Sequence, residues 1–147
     1  MEITRLIHPE HVIPALPAAD KARLLGELAR RAGLALGCDA HGILDALTAR
    51  EALGSTGVGH GVALPHARIP GIIHLFGLFA VLERPIDFGA IDEAPVDLVF
   101  LLLVPLTAGK EYLAALAAIS RRLRDPETLR AIRMAQDPAK LYEALVR

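Results

Sequence analysis

The sequence has no tryptophan and a single cysteine, Cys38. One thiol cannot close an internal disulfide, which fits a reducing cytosol. Aromatic residues make up 4% of the chain while 53% of it is hydrophobic, so the core must be aliphatic, built from Leu, Ala, Val and Ile. An excess of positive charge is missing as well. The net charge is −1, which removes the broad basic footprint of a nucleic-acid binder. No apolar run approaches the ~20 residues that span a bilayer; the longest, Leu98 to Pro105, falls far short. The opening Met-Glu-Ile-Thr-Arg lacks the basic and apolar regions of a signal peptide. With 147 residues, one domain with a real core is expected, with no direct membrane insertion and a cytoplasmic location.

What is present divides into helix and strand signals. Prolines and a histidine-proline break in Met1 to Ala19 predict an irregular start. Asp20 can cap a helix to Arg31, with Leu24, Leu25 and Leu28 on one face and Gly33 as its stop. Cys38 and Asp39 open a second helix that buries Ile43, Leu44, Leu47 and Leu53 and ends at Gly54. Gly61 to Arg68 is short and apolar and reads as a strand feeding a turn at Pro65-His66. His74 to Glu83 shows little alternation, which predicts a strand covered on both faces. Arg84 to Pro95 reads as loop, and Val96 to Val104 as a buried strand between two prolines. In Lys110 to Leu123, Tyr112, Leu116, Ile119 and Leu123 recur at helical spacing. Asp125-Pro126 and Asp137-Pro138 each pair an N-cap with proline at the first helical position, starting helices Glu127 to Ala135 and Ala139 to Val146. There is no internal repeat and no linker. Helices before, between and after a few buried strands imply one layered α/β domain.

The chemistry concentrates between Arg50 and Pro70. Arg50 lies near a helix end, where it complements the helix dipole or leans over the loop that follows. That loop holds Ser55, Thr56, Gly57, Gly59, His60 and Gly61, and a short apolar run then delivers His66 behind Pro65. A Walker phosphate loop is excluded, because His60 and Gly61 stand where Lys and Ser or Thr are required and the element order is reversed. The dinucleotide fingerprint fails at Val62. The glycines fit a tight turn as well as an oxyanion nest. His60 and His66 have no Cys or carboxylate beside them at metal-ligand spacing, so no metal is expected. His8, His11 and His41 read as surface residues and His74 as a partly buried one. G-x-S-x-G is absent around Ser55 and Ser120, and Asp92, Glu93 and Asp97 form no recognisable acid pair.

The stretch R-E-A-L-G-S-T-G-V-G-H-G-V-A-L-P-H, Arg50 to His66, resembles the active-site signature of the enzyme IIA domain of the fructose/mannitol class in the bacterial phosphotransferase system. R-P-I-D-F-G-A-I-D-E-A-P-V-D-L-V-F-L-L-L-V-P resembles the central strands and loop of the same family, and Leu113 to Asp125 the helix that follows. The likeness spans nearly the whole chain, residues 1–147 with a core of about 5–146, and is nearest to the stand-alone nitrogen-regulatory branch. It implies a single α/β domain with a mixed, mostly five-stranded sheet and helices on both sides. It also implies that His66 is the phosphorylated residue, attacked through Nε2, with Arg50 beside it. An HPr-like phosphocarrier would be the donor, and potassium-transport or sensor-kinase proteins the regulated partners. Two positions depart from the family. Ala67 replaces the glycine after Pro-His, and Tyr112 replaces the second histidine, so no imidazolium charge comes from that position.

The expected mechanism follows from what phosphoryl transfer requires, which is alignment and charge stabilisation. Neutral His66 attacks phosphorus. Arg50, the amides of Gly57 and Gly59, Ser55, Thr56, His60 and Tyr112 bind the phosphoryl oxygens. No cofactor is required, because the phosphate arrives on a protein. Val58, Ile69 and Ile72 are candidates for the docking rim or for ordinary core. Three other readings stay open: a sugar-transport enzyme IIA that hands the group to an enzyme IIB, a regulator acting by contact alone, and a fold relative without phosphoryl chemistry.

Overall fold

Asp20 starts the first helix as the sequence predicts, its side chain accepting the Arg23 N–H at 2.8 Å. In the computed structural model, which describes residues 1–147, that helix, α1, is Lys21–Leu36 and runs through Gly33. The stop is Gly37, whose φ of 67° suits a residue without a Cβ. Gly33 has another job: a Cβ there would stand 2.9 Å from the Cys38 carbonyl oxygen and 3.2 Å from the Ala40 Cβ. Its absence lets α2, Ala40–Ala52, pack closely against α1. Asp39 caps α2 through the His41 N–H. Ile43 and Leu47 are buried and Leu44 packs against the core, but Leu53 is 85% exposed. Leu53 lies just past the helix end, and six residues beyond Leu47 is not a same-face step.

The opening segment is more ordered than its prolines suggest. Two short 3-10 turns, Ile3–Arg5 and Pro9–His11, lead into strand β1, Val12–Leu16. Strand β1 pairs only with β5, Phe76–Ile86, so Pro14 sits on a sheet edge, where a missing N–H costs no ladder bond. Strand β5 also outlasts its expected end at Glu83, reaching Ile86 past an irregularity in its pairing with β6, Val96–Pro105. His74 lies before β5 and is exposed rather than partly buried, and His11 is half-buried rather than on the surface. The three C-terminal helices are α3, Lys110–Arg122, α4, Pro126–Met134, and α5, Pro138–Val146. Asp125 and Asp137 cap the last two.

The remaining strands are β2, Gly57–Gly59, β3, Val62–Ala63, and β4, His66–Ile69. The sheet order is β1-β5-β6-β3-β2, with β4 also on β6. Strands β3 and β4 keep one unbroken register on β6, from Val62↔Leu98 to Ile69↔Pro105, so the six strands fill five positions. Pairing is mixed: β1–β5, β3–β6 and β4–β6 are parallel, while β5–β6 and β2–β3 are antiparallel. Central β6 is buried on both faces. Leu98, Phe100, Leu102 and Val104 pack toward α3, α4 and α5, and Val99, Leu101 and Leu103 toward α1 and α2. The same alternation places Ala67 and Ile69 on the α1–α2 side, which leaves His66 and Arg68 on the other face. Ile69 is therefore core and not rim, whereas Val58 is exposed. No helix is long and apolar enough to cross a membrane.

Candidate functional site

Two residues, Leu64 and Pro65, separate β3 from β4. Leu64 donates its N–H to Thr56 O at 2.9 Å, and Pro65 gives its carbonyl to the Leu102 N–H at 3.0 Å. The Leu64 carbonyl is left for a side chain, and His66 Nδ1 lies 2.7 Å from it. A carbonyl only accepts, so Nδ1 carries the proton and Nε2 carries the lone pair. Nε2 has no partner within the protein, and the ring is half-buried. Burial holds the His66 pKa below the ordinary 6.5. The Leu64 hydrogen bond pulls it up, the Arg50 charge pushes it down and the Glu51 charge raises it. At neutral pH the uncharged ring predominates, in a fixed tautomer whose Nε2 is its free acceptor nitrogen.

Arg50 comes from the last turn of α2, and its Nη1 donates to Gly54 O at 2.9 Å. That bond bends the guanidinium over the start of the loop and leaves its other N–H groups unpaired. Tyr112, in the first turn of α3, meets His66 edge to face with ring centres 5.9 Å apart. Arg68, which the motif does not single out, also belongs to this cluster. Its guanidinium carbon lies 4.9 Å from the centre of the Tyr112 ring, and its Nη1 donates to Ala108 O at 2.6 Å and Leu106 O at 3.2 Å. The signal was available: two residues past His66 on a strand is the same face. Burial raises the Tyr112 pKa above 10 while Arg68 and then Arg50 oppose it, so the hydroxyl keeps its proton at neutral pH.

The glycine loop is spent largely on itself. Ser55 Oγ donates to Phe88 O at 3.2 Å and accepts the Gly57 N–H at 3.0 Å. Thr56 is buried, with its N–H and hydroxyl both bonded to the Glu51 carboxylate. These two hydroxyls brace the loop instead of turning toward His66. Gly57 is required by close approach, since a Cβ there would stand 2.8 Å from Ala90. The expectation that Gly59 and His60 join His66 fails. The His60 N–H is bonded to Asp92 at 3.1 Å and its carbonyl to Arg133 at 3.1 Å, with Arg133 also forked onto Asp97. The extended chain from Val62 to His66 alone covers about 13 Å, so the β2–β3 turn lies at the far end of the strand. A loop that looks continuous in sequence is divided by a strand in space.

No three His, Cys, Asp or Glu side chains are grouped to hold a metal ion. Surface clefts of about 420 to 700 Å³ open elsewhere, and none of them is lined by His66.

Residues 5–147 match the family model described as "Phosphoenolpyruvate-dependent sugar phosphotransferase system, EIIA 2". A nitrogen regulatory protein of Bradyrhizobium diazoefficiens is 46% identical over 145 residues, spanning 99% of this chain and 95% of its own length. Among solved structures, nitrogen regulatory protein IIA-Ntr of Neisseria meningitidis superposes with a TM-score of 0.91 at 29% identity, over 97% of this chain and 98% of its own. IIA mannitol of Escherichia coli shares the fold, with a TM-score of 0.74 at 18% identity over 94% and 97% of the two chains.

Proposed function

Because the chain belongs to the EIIA 2 family of the phosphoenolpyruvate-dependent sugar phosphotransferase system, we propose that it is a histidine phosphocarrier of the nitrogen-regulatory kind. His66 takes a phosphoryl group from a phosphorylated HPr-like protein. The charged or free state of His66 then governs potassium-transport or sensor-kinase partners. The observation that carries this reading is the Nδ1–Leu64 bond, which leaves Nε2 unprotonated and unpartnered on a ring that feels the Arg50 charge.

The Nε2 lone pair forms a bond to phosphorus as the donor's P–N bond breaks, and that electron pair returns to the donor's imidazole. The His66 ring gains positive charge, which the Leu64 carbonyl stabilises through the Nδ1 proton. Arg50 offers its unpaired N–H groups to the phosphoryl oxygens, as does the Tyr112 hydroxyl, and removal of one such donor typically costs ~3 kcal/mol of barrier. Arg68 supplies a second cation behind Tyr112, at the position where the family's imidazole is missing.

The test is reconstitution with phosphoenolpyruvate, the first enzyme of the relay and its carrier. We expect one acid-labile, base-stable phosphate on His66, and none on His66→Ala. Full labelling of His66→Ala would remove the reading. Offering the labelled protein to an enzyme IIB separates regulation from sugar transport: rapid loss of label to it would assign the protein to transport.

A further inference from the structure

A carboxylate is held out of water directly behind the loop. Glu51 follows Arg50 in α2, and its side chain is 6% exposed. Its Oε1 accepts the Thr56 N–H at 3.0 Å and lies 2.9 Å from Lys21 Nζ, while Oε2 accepts the Thr56 hydroxyl. Lys21 is the first residue of α1. Its ammonium also stands over the Phe88 ring, 4.3 Å from the centre, and the Phe88 carbonyl receives the Ser55 hydroxyl. Two helices, the loop and the segment between β5 and β6 therefore converge on one anion.

Two features of this arrangement are costly on their own. A buried carboxylate beside a phosphoryl site is desolvated and repels the incoming oxygens. A cation in the first turn of a helix opposes the helix dipole. Each is explained by the other, because the ammonium cancels the carboxylate and the carboxylate offsets the dipole. The charges that act on His66 are Arg50 and Glu51 from α2, while Tyr112 from α3 meets its ring and Arg68 from its own strand reaches only Tyr112. Glu51 acts on the ring against Arg50, and Lys21 Nζ lies 2.9 Å from that carboxylate.

We propose that Lys21 is a positioning residue for phosphoryl transfer: it neutralises Glu51, so that this carboxylate holds the Gly54–Gly57 loop in place without repelling the phosphoryl group on His66. The inference rests on His66 being the acceptor. It assigns a role at the site to a side chain on the first helix, far from the motif in sequence.

The experiment compares wild type, Lys21→Met, Glu51→Gln and the double variant. Two quantities are read: the His66 titration midpoint by NMR in the unphosphorylated protein, and the rate of label acceptance from the HPr-like carrier. Lys21→Met should raise the midpoint and slow acceptance about tenfold, as expected for one unbalanced charge nearby. The double variant should bring both back toward wild type, because charge balance is restored. Equal slowing in Lys21→Met and the double variant, with an unmoved midpoint, would make the pair merely structural and overturn the proposal. Should Lys21→Met fail to fold, Glu51→Gln alone decides: it should lower the midpoint and slow loss of the label, and no change in either overturns the proposal. A wild type that takes no label would instead sink the phosphocarrier reading, while the midpoints still test the coupling of Lys21 to His66.

Discussion

His66 is neutral in the folded protein because burial disfavours its charged form, and this fixes how acceptance should depend on pH. Its pKa lies below 6.5, so the unprotonated ring predominates at neutral pH and is lost as the ring protonates on acidification. Acceptance rates measured between about pH 5 and 8 should be flat at the upper end and fall at the lower; a rate that climbs steadily to pH 8 would mean a raised pKa. The neighbour in edge-to-face contact, Tyr112, donates one hydrogen bond and no charge. Replacing it by histidine should lengthen the half-life of the phosphorylated protein, and a shorter half-life would show that Tyr112 is the better ligand. Arg68→Met should slow transfer about tenfold, the effect of losing one nearby cation, while circular dichroism stays unchanged. An unaltered rate would confine Arg68 to tying down the Leu106 and Ala108 carbonyls.

At the scale of elements, Gly33 sets how closely α1 and α2 approach. Gly33→Val places a branched side chain against the Cys38 carbonyl and Ala40, and should cost ~1–3 kcal/mol in denaturant titrations. Leu53→Ser should stay within ~0.5 kcal/mol, because Leu53 packs on nothing. The helices were legible because their signals are local: Asp20, Asp39, Asp125 and Asp137 cap where the sequence places them. Strand β1 was not, since edge position, which makes Pro14 harmless, is a property of the assembled sheet. The site divides the same way. His66 and Arg50 stand out by residue type. The inward turn of Ser55 depends on Phe88, thirty-three residues away, and the separation of His60 from His66 depends on β3 pairing with β6. Neither dependence is written in the spacing of the motif.

Across the whole molecule, the titrating groups make stability fall in acid in two windows. His11 and His66 are both held below 6.5 chiefly by burial, His11 with its Nδ1 enclosed and unpartnered against Phe76. The unfolded chain therefore binds their protons first. Their contribution is complete above pH 6.5 and is lost as pH falls toward the folded values. Glu27, lowered to about 2 by its hydrogen bond to Arg30 and then by Arg31, acts in a second window between 4.5 and that value. Its partly exposed position and salt screening reduce its share. Melting temperatures recorded from about pH 8 down to 3 should show both declines, and His11→Leu should flatten the first. A first decline unchanged in that variant would assign it to His66. Gaps in β-sheets are commonly regarded as defects, yet the interruption at Leu64-Pro65 has a lasting benefit. The atom that aims the His66 ring belongs to the peptide link, which every amino acid supplies. A substitution at position 64 by another side chain of similar bulk therefore keeps the same tautomer.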